Sequence, residues 1–235
     1  MLSGNQIAQL RRLNAGLTVH ELHEPIFAVY GRIIAENGTL AGYQELRDTI
    51  LGACADTPAH TAYLASIQEG EKLEAARYIQ DVVFGEKGIQ TGCCWGKNFN
   101  LNGMEYHKSS EAIIALTDIA LFLGRVEDIG KDGWDTSQAK LFLVPEGTAL
   151  ELYQTTLHFA PVSIRSNPFY AVIILPQGTN LPIGSCRIDN EHVHDGDNQY
   201  LFMENKWLLA HPDSPTAKRG ARIGITGDNL SVIPL

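Results

Sequence analysis

Asn102-Gly103-Met104-Glu105-Tyr106-His107-Lys108-Ser109-Ser110-Glu111 is the stretch on which the reading of this chain turns. Read as a strand, its side chains alternate, so Glu105, His107, Ser109 and Glu111 fall on one face. Two carboxylates and an imidazole on one face need a barrel interior to project into. The sequence around them supplies the walls. Short apolar or alternating runs recur at Ala112 to Leu116, Ile119 to Leu123, Lys140 to Val144, Ala149 to Tyr153, Ala171 to Leu175, Tyr200 to Met203, Trp207 to Ala210 and Ile223 to Thr226. Turn residues separate them: Gly124, Asp132-Gly133, Pro145-Glu146-Gly147, Pro176-Gln177-Gly178 and Asp195-Gly196. Many short strands at such spacing predict an antiparallel sandwich or barrel.

Upstream the periodicity is helical. Ile7, Leu10 and Leu13 lie three apart, and Leu46, Ile50 and Leu51 continue the pattern over Leu40 to Ala53, with Thr39 as cap. Asp56-Thr57-Pro58 reads as a helix start, after which Leu64, Ile67, Leu73, Ala76, Ile79 and Val83 share a face until Gly85 stops it. Gly70 is the weak point of that helix. The expected fold is therefore mainly β within an α+β class. A helical part, residues 1–87, packs on an antiparallel β-barrel or jelly roll, residues 88–235, as one compact unit.

The shared face at Glu105, His107 and Glu111 suits a divalent cation such as Zn, Mn, Fe or Ni, with His158 from a neighbouring strand as fourth ligand. The competing reading makes Glu105, Lys108 and Glu111 a solvated strand edge and the histidines structural. Tyr106 and Lys108 point away from Glu105 and His107 in a regular strand. A second cluster, His192-Val193-His194, could chelate a metal, but Asp, Asn and Gly surround it and favour a solvated loop. Lys218-Arg219-Gly220-Ala221-Arg222 reads as a solubilising surface patch. No Gly-rich phosphate loop, Gly-x-Ser-x-Gly elbow or His-Glu-x-x-His helix occurs.

Composition narrows the partners. Eighteen Lys and Arg against 27 Asp and Glu give a net charge of −9, which disfavours a nucleic-acid backbone as partner. The longest uncharged apolar runs, such as Phe169 to Leu175, are far too short to cross a membrane. No basic start followed by an apolar stretch opens the chain. Four cysteines, Cys54, Cys93, Cys94 and Cys186, lack Cys-x-x-Cys spacing, so reduced thiols in a cytoplasmic protein are expected. The Asn-x-Ser/Thr triplets at Asn37 and Asn229 carry little meaning in that compartment.

Glu105-x-His107-x-x-x-Glu111, followed by Pro145-x-Gly147 and His158, resembles the two motifs of cupins. Glu105 stands where the first motif's first His would be, and His158 lies further from Gly147 than the common pattern has it. That longer spacing is similar to the ureidoglycolate lyase branch, as is Phe27-Ala28-Val29-Tyr30-Gly31-Arg32-Ile33-Ile34. The likeness covers about residues 25–35 and 100–162. Across most of the chain, Leu101 to Glu111 and Asn205-Lys206-Trp207-Leu208-Leu209-Ala210-His211-Pro212 resemble a family of uncharacterised bacterial cupin-like proteins, a domain of unknown function.

The resemblance implies the fold and a metal, and a metal beside a carboxylate base suits an enzyme of small-molecule metabolism acting on a carbohydrate or hydroxy acid, isomerase- or epimerase-like. Glu105, Glu111 and Lys108 are the candidate catalytic residues, and Glu105, His107, Glu111 and His158 the metal ligands. A ureidoglycolate lyase-like carbon–nitrogen lyase and a non-catalytic ligand-binding cupin are the alternatives. Such a lyase would need cations for a carboxylate, for which Lys108, Lys140 and Arg165 are candidates. Sugar-type substrates rank slightly ahead, because an acid-rich site repels an anion. A small polar substrate and a homodimer are the expected partners, the dimer from the family alone.

Overall fold

Ile119, Leu121 and Leu123 face one apolar cluster, while Ala120 and Phe122 on the same strand face another. Lys140–Val144 divides likewise, with Phe142 and Val144 on one side and Leu141 and Leu143 on the other. These strands have no solvent face, which is why they read as nearly continuous apolar runs. The computed structural model describes residues 2–54, 58, 60–183 and 196–235.

One sheet has six strands in the order Gly31–Ala35, Ala149–Leu152, Glu111–Ala115, Phe169–Pro176, Ile89–Gly96 and Ala62–Leu64. All its pairings are antiparallel. The facing sheet runs Val19–Glu21, Lys140–Val144, Ile119–Arg125 and Thr156–Leu157, with Val162–Ser163 also on Ile119–Arg125. A three-stranded sheet, Leu201–Met203, Lys206–Ala210 and Gly103–Tyr106, joins it through an isolated antiparallel bridge between Glu105 and His158. The space between the two walls is filled by Leu22, Phe27, Tyr30, Ile113, Leu121, Phe142, Leu150, Phe169 and Ile173. The expected antiparallel β architecture with helices added is the observed one. Parallel pairing occurs where Val19–Glu21 meets Lys140–Val144 and where Ile225–Thr226 meets Trp134–Asp135.

Both walls are clad on the outside. Helices Tyr43–Ala53 and Glu74–Phe84 lay Leu46, Ile50, Ala75, Ala76 and Ile79 on Ile114, Val172 and Ile174 of the six-stranded sheet. Gly42 caps the first of these helices without a side-chain hydrogen bond, and Thr39 instead donates to the Glu36 carbonyl. A good side-chain cap is worth about 1 kcal/mol. Leu46 and Ile50, both fully buried, contribute roughly 1.5–3 kcal/mol each, so packing decides where this helix forms. On the other side, helix Gly4–Leu13 and the C-terminal segment bring Leu10, Tyr200, Ile225 and Val232 onto Leu141 and Leu143.

Three expectations need correction. The stretch 102–111 is not one strand: it ends at Tyr106, bends at Lys108 and Ser109, and resumes at Glu111 in the other wall. The long helix expected after Pro58 is instead strand Ala62–Leu64, a short turn of helix at Gln68–Glu71, and helix Glu74–Phe84 capped by Gly85 at φ 56°. Residues 55–57 and 59, which carry most of the expected start signal, lie outside the described residues. Nor is the first third purely helical, since it contributes Val19–Glu21, Gly31–Ala35 and Ala62–Leu64 to the walls. Gly92 makes the last of these fit: a Cβ there would meet the Leu64 carbonyl oxygen at 2.2 Å.

Candidate metal centre

The bend after Tyr106 assembles the centre. Glu105 lies on Gly103–Tyr106 and His107 follows it, so both project from one wall. Glu111 opens the strand Glu111–Ala115 of the opposite wall, and its inward face continues with Ile113 and Ala115. His158 follows Thr156–Leu157 and meets Glu105 through two main-chain hydrogen bonds. One ligand atom from each of Glu105, His107, Glu111 and His158 lies within 4.8 Å of all the others. All four residues are buried.

Hydrogen bonds fix both imidazoles. His107 Nδ1 lies 2.6 Å from the Asn205 carbonyl oxygen, and His158 Nδ1 lies 3.0 Å from that of Thr156. A carbonyl only accepts, so each Nδ1 donates and each Nε2 is left pointing inward. The two Nε2 atoms converge on one oxygen, Glu111 Oε2, at 3.2 Å each. His107 Nε2 is buried and, although within ion-pair distance of Glu111, makes no hydrogen bond there. An imidazole lone pair facing a carboxylate oxygen needs a cation or a proton between them. The donor set therefore fits a divalent ion.

The electrostatics agree. Burial alone would raise the Glu111 carboxyl, but the imidazoles of His158 and His107 outweigh it and hold it well below the usual carboxylate range. Burial depresses His158, yet Glu111 overrides it and the imidazole is pushed up to about 8. Glu105 is the outlier of the four. Its Oε1 is 4.0 Å from His107 Nε2, and its Oε2 is paired with the Lys206 ammonium. Nearby, burial pushes the Cys94 thiol up, with Glu105 and Glu111 adding to the effect, so it stays protonated at neutral pH.

Glu105, His107, Glu111 and His158 are thus brought together. Lys108 is not: it is exposed, with its ammonium 5.4 Å from the Tyr106 ring centre and 5.1 Å from that of Trp207. The strand alternation that turns Glu105 inward turns Tyr106, and Lys108 with it, the other way. Arg165 is taken up by Asp118 at 3.1 Å. Lys218, Arg219 and Arg222 are exposed, as expected of a surface patch. His192, His194 and Cys186 lie outside the described residues, while Cys54, Cys93 and Cys94 are buried free thiols.

Sequence reasoning missed Lys206 and Asn205. Lys206 sits two residues from Leu208, the register partner of Glu105, and so shares its face. Asn205, at φ 52°, accepts from the Lys108 N–H and donates to Ser109 Oγ and Thr179 Oγ1 while its carbonyl holds His107. The signal was the Asn-Lys pair opening an apolar strand, an Asn being tolerant of positive φ.

Residues 19–230 match the family model described as Domain of unknown function (DUF4867). The chain belongs to that family. The DUF4867 span contains all four cluster residues together with Asn205 and Lys206. No curated protein matches the sequence. Among solved structures, the chain is similar to the non-heme alpha ketoglutarate dependent epimerase SnoN from nogalamycin biosynthesis, at 13% identity over 97% of this chain and 96% of that one, with a TM-score of 0.39. It is also similar to Bacillus subtilis oxalate decarboxylase, at 9% identity over 51% of this chain, with a TM-score of 0.31. Pumpkin seed globulin gives 12% identity, 51% of this chain, 26% of that one and a TM-score of 0.31. The chain spans 26% of the length of that oxalate decarboxylase. Likenesses this distant carry no argument about activity or metal. No described helix is long and apolar enough to cross a membrane.

Proposed function

We propose that this protein is a divalent-metal-dependent enzyme acting on a small polar molecule, a carbohydrate or a hydroxy acid, by an isomerase- or epimerase-type reaction. The observation that carries the reading is the convergence of two pre-oriented imidazole nitrogens on one buried carboxylate, with a second carboxylate beside them. Two imidazoles and two carboxylates suit Zn, Mn, Fe or Ni. The ion would supply Lewis-acid polarisation of a substrate carbonyl or hydroxyl.

The chain's own residues divide the remaining work. His107, Glu111 and His158 hold the centre and keep water from it by their burial. Glu105, the loosest of the four and the one paired with a lysine, is placed to move a proton between adjacent substrate carbons. A carbon–nitrogen lyase acting on a hydroxy acid is the second reading, favoured by the cation at Lys206.

Metal analysis of the purified protein tests the proposal. It should give about one transition ion per chain, lost on His107→Ala and on His158→Ala. Protein that stays metal-free after incubation with Mn, Zn and Ni sinks the metal-dependent reading. A screen of aldoses, ketoses and short hydroxy acids on the loaded protein then separates the two reactions.

A further inference from the structure

We infer that the metal-loaded centre takes a substrate bearing a carboxylate, and that the Lys206 ammonium is the group that holds it. The inference rests on the metal reading above and goes on to name the substrate class. Lys206 opens the strand Lys206–Ala210 on the face shared with Glu105, and its side chain is 14% exposed where those of His107 and His158 are 0% and 3%. It therefore stands at the rim of the centre and not within it.

The ammonium has three protons to donate. Glu105 Oε2 engages it on one side, and the Phe159 ring, 5.8 Å from Nζ, shields another. An incoming carboxylate can share the same nitrogen. Charge counting points the same way. Glu105 and Glu111 contribute two negative charges, the imidazoles none, and a divalent ion two positive, which leaves the centre neutral. Lys206 makes it positive. The Cys94 thiol and the Tyr63 phenol, which both feel the Glu105 and Glu111 carboxylates, add no charge because burial keeps each of them protonated. The acid-rich face, which taken alone repels anions, becomes with Lys206 a site that attracts them.

The test uses the full chain loaded with Mn²⁺, with glycolate as probe and ethylene glycol as its uncharged counterpart of similar size. Binding is read from the change in water-proton relaxation by the bound Mn²⁺, and occupancy from metal analysis. Lys206→Met should keep its manganese, bind glycolate at least ten-fold more weakly, and bind ethylene glycol as before. Lys206→Arg should recover part of the glycolate affinity. Where the Met variant fails to fold, Lys206→Gln, which keeps a polar head beside Glu105, takes its place. Wild-type protein that takes up no metal overturns the metal reading and this inference with it. Loaded protein that binds both probes equally, or a manganese-bearing Met or Gln variant with unchanged glycolate affinity, overturns this inference alone.

Discussion

Glu105 and His158 exchange main-chain hydrogen bonds across an antiparallel bridge, Glu105 N–H to the His158 carbonyl at 2.6 Å and His158 N–H to the Glu105 carbonyl at 2.9 Å. Two residues of the candidate centre, distant in sequence, are thereby set side by side by backbone alone. The bridge is also the seam where the three-stranded sheet continues the wall formed by Ile119–Arg125 and its neighbours. Opposite it, Glu111 belongs to the other wall, so the centre spans the interior and ties one wall to the other.

Metal should therefore stabilise the whole fold. At a free concentration a hundred times its dissociation constant, an ion that binds only the folded state adds about 2.7 kcal/mol. For a chain of this size that is a rise in Tm of roughly 5–10 °C. Thermal unfolding with and without a chelator measures it, and His107→Ala and His158→Ala should abolish the difference.

Stability should depend on pH with opposite slopes in the two forms. Without metal, His158 is raised from 6.5 to about 8. Its contribution is fully present below 6.5 and lost as pH rises through 8, on the order of 2 kcal/mol. The lowered Glu111 acts in the other direction, contributing above its ordinary 4.5 and losing that contribution as pH falls through its depressed value. To hold an ion His158 must first release its Nε2 proton to solvent, so the stabilisation by metal grows as pH approaches 8. Melting curves of chelated and loaded protein across this range should diverge with rising pH; parallel curves would refute the coupling.

Much of this was legible in the sequence, for a reason visible in particular residues. His107 and Glu111 come together although the strand meant to align them breaks at Lys108, because the bend returns the chain to the same interior. Lys140–Val144 and Ala171 to Leu175 were legible because apolar runs that short leave no other option. Leu64 was misread as helical, since Ala62–Leu64 is an edge strand too short to show a period of its own. Lys206 escaped notice because its role depends on which strand pairs with Gly103–Tyr106, a register that no local pattern encodes.

Gly92→Ala tests that pairing of the first third with the six-stranded sheet. The added methyl meets main-chain oxygens of Leu64 and Ala65 at 2.2 and 2.7 Å, and backbone cannot swing aside as a side chain would. A loss of about 1–3 kcal/mol or more is expected, read as a lowered denaturation midpoint, with metal stoichiometry retained.

Asn205→Ala should weaken metal binding without removing a ligand. It deletes the acceptor for Lys108 N–H and the donor to Ser109 and Thr179, and it strains a backbone at φ 52° whose carbonyl orients His107. Loss of such support typically costs 10–100-fold in affinity, measurable by competition with a chelator. Asn205→Gly, which relieves the φ but not the lost bonds, should fall between wild type and Ala.

The cladding on both walls has a consequence for how the chain can be divided. Ile114, Val172 and Ile174 lie on the outer side of the six-stranded sheet and are covered by side chains from Tyr43–Ala53 and Glu74–Phe84. A fragment beginning after Phe84 would present that stripe to water, an invitation to aggregate. The helices are thus the sheet's outer lining, and a fragment that keeps the sheet in solution has to keep both of them.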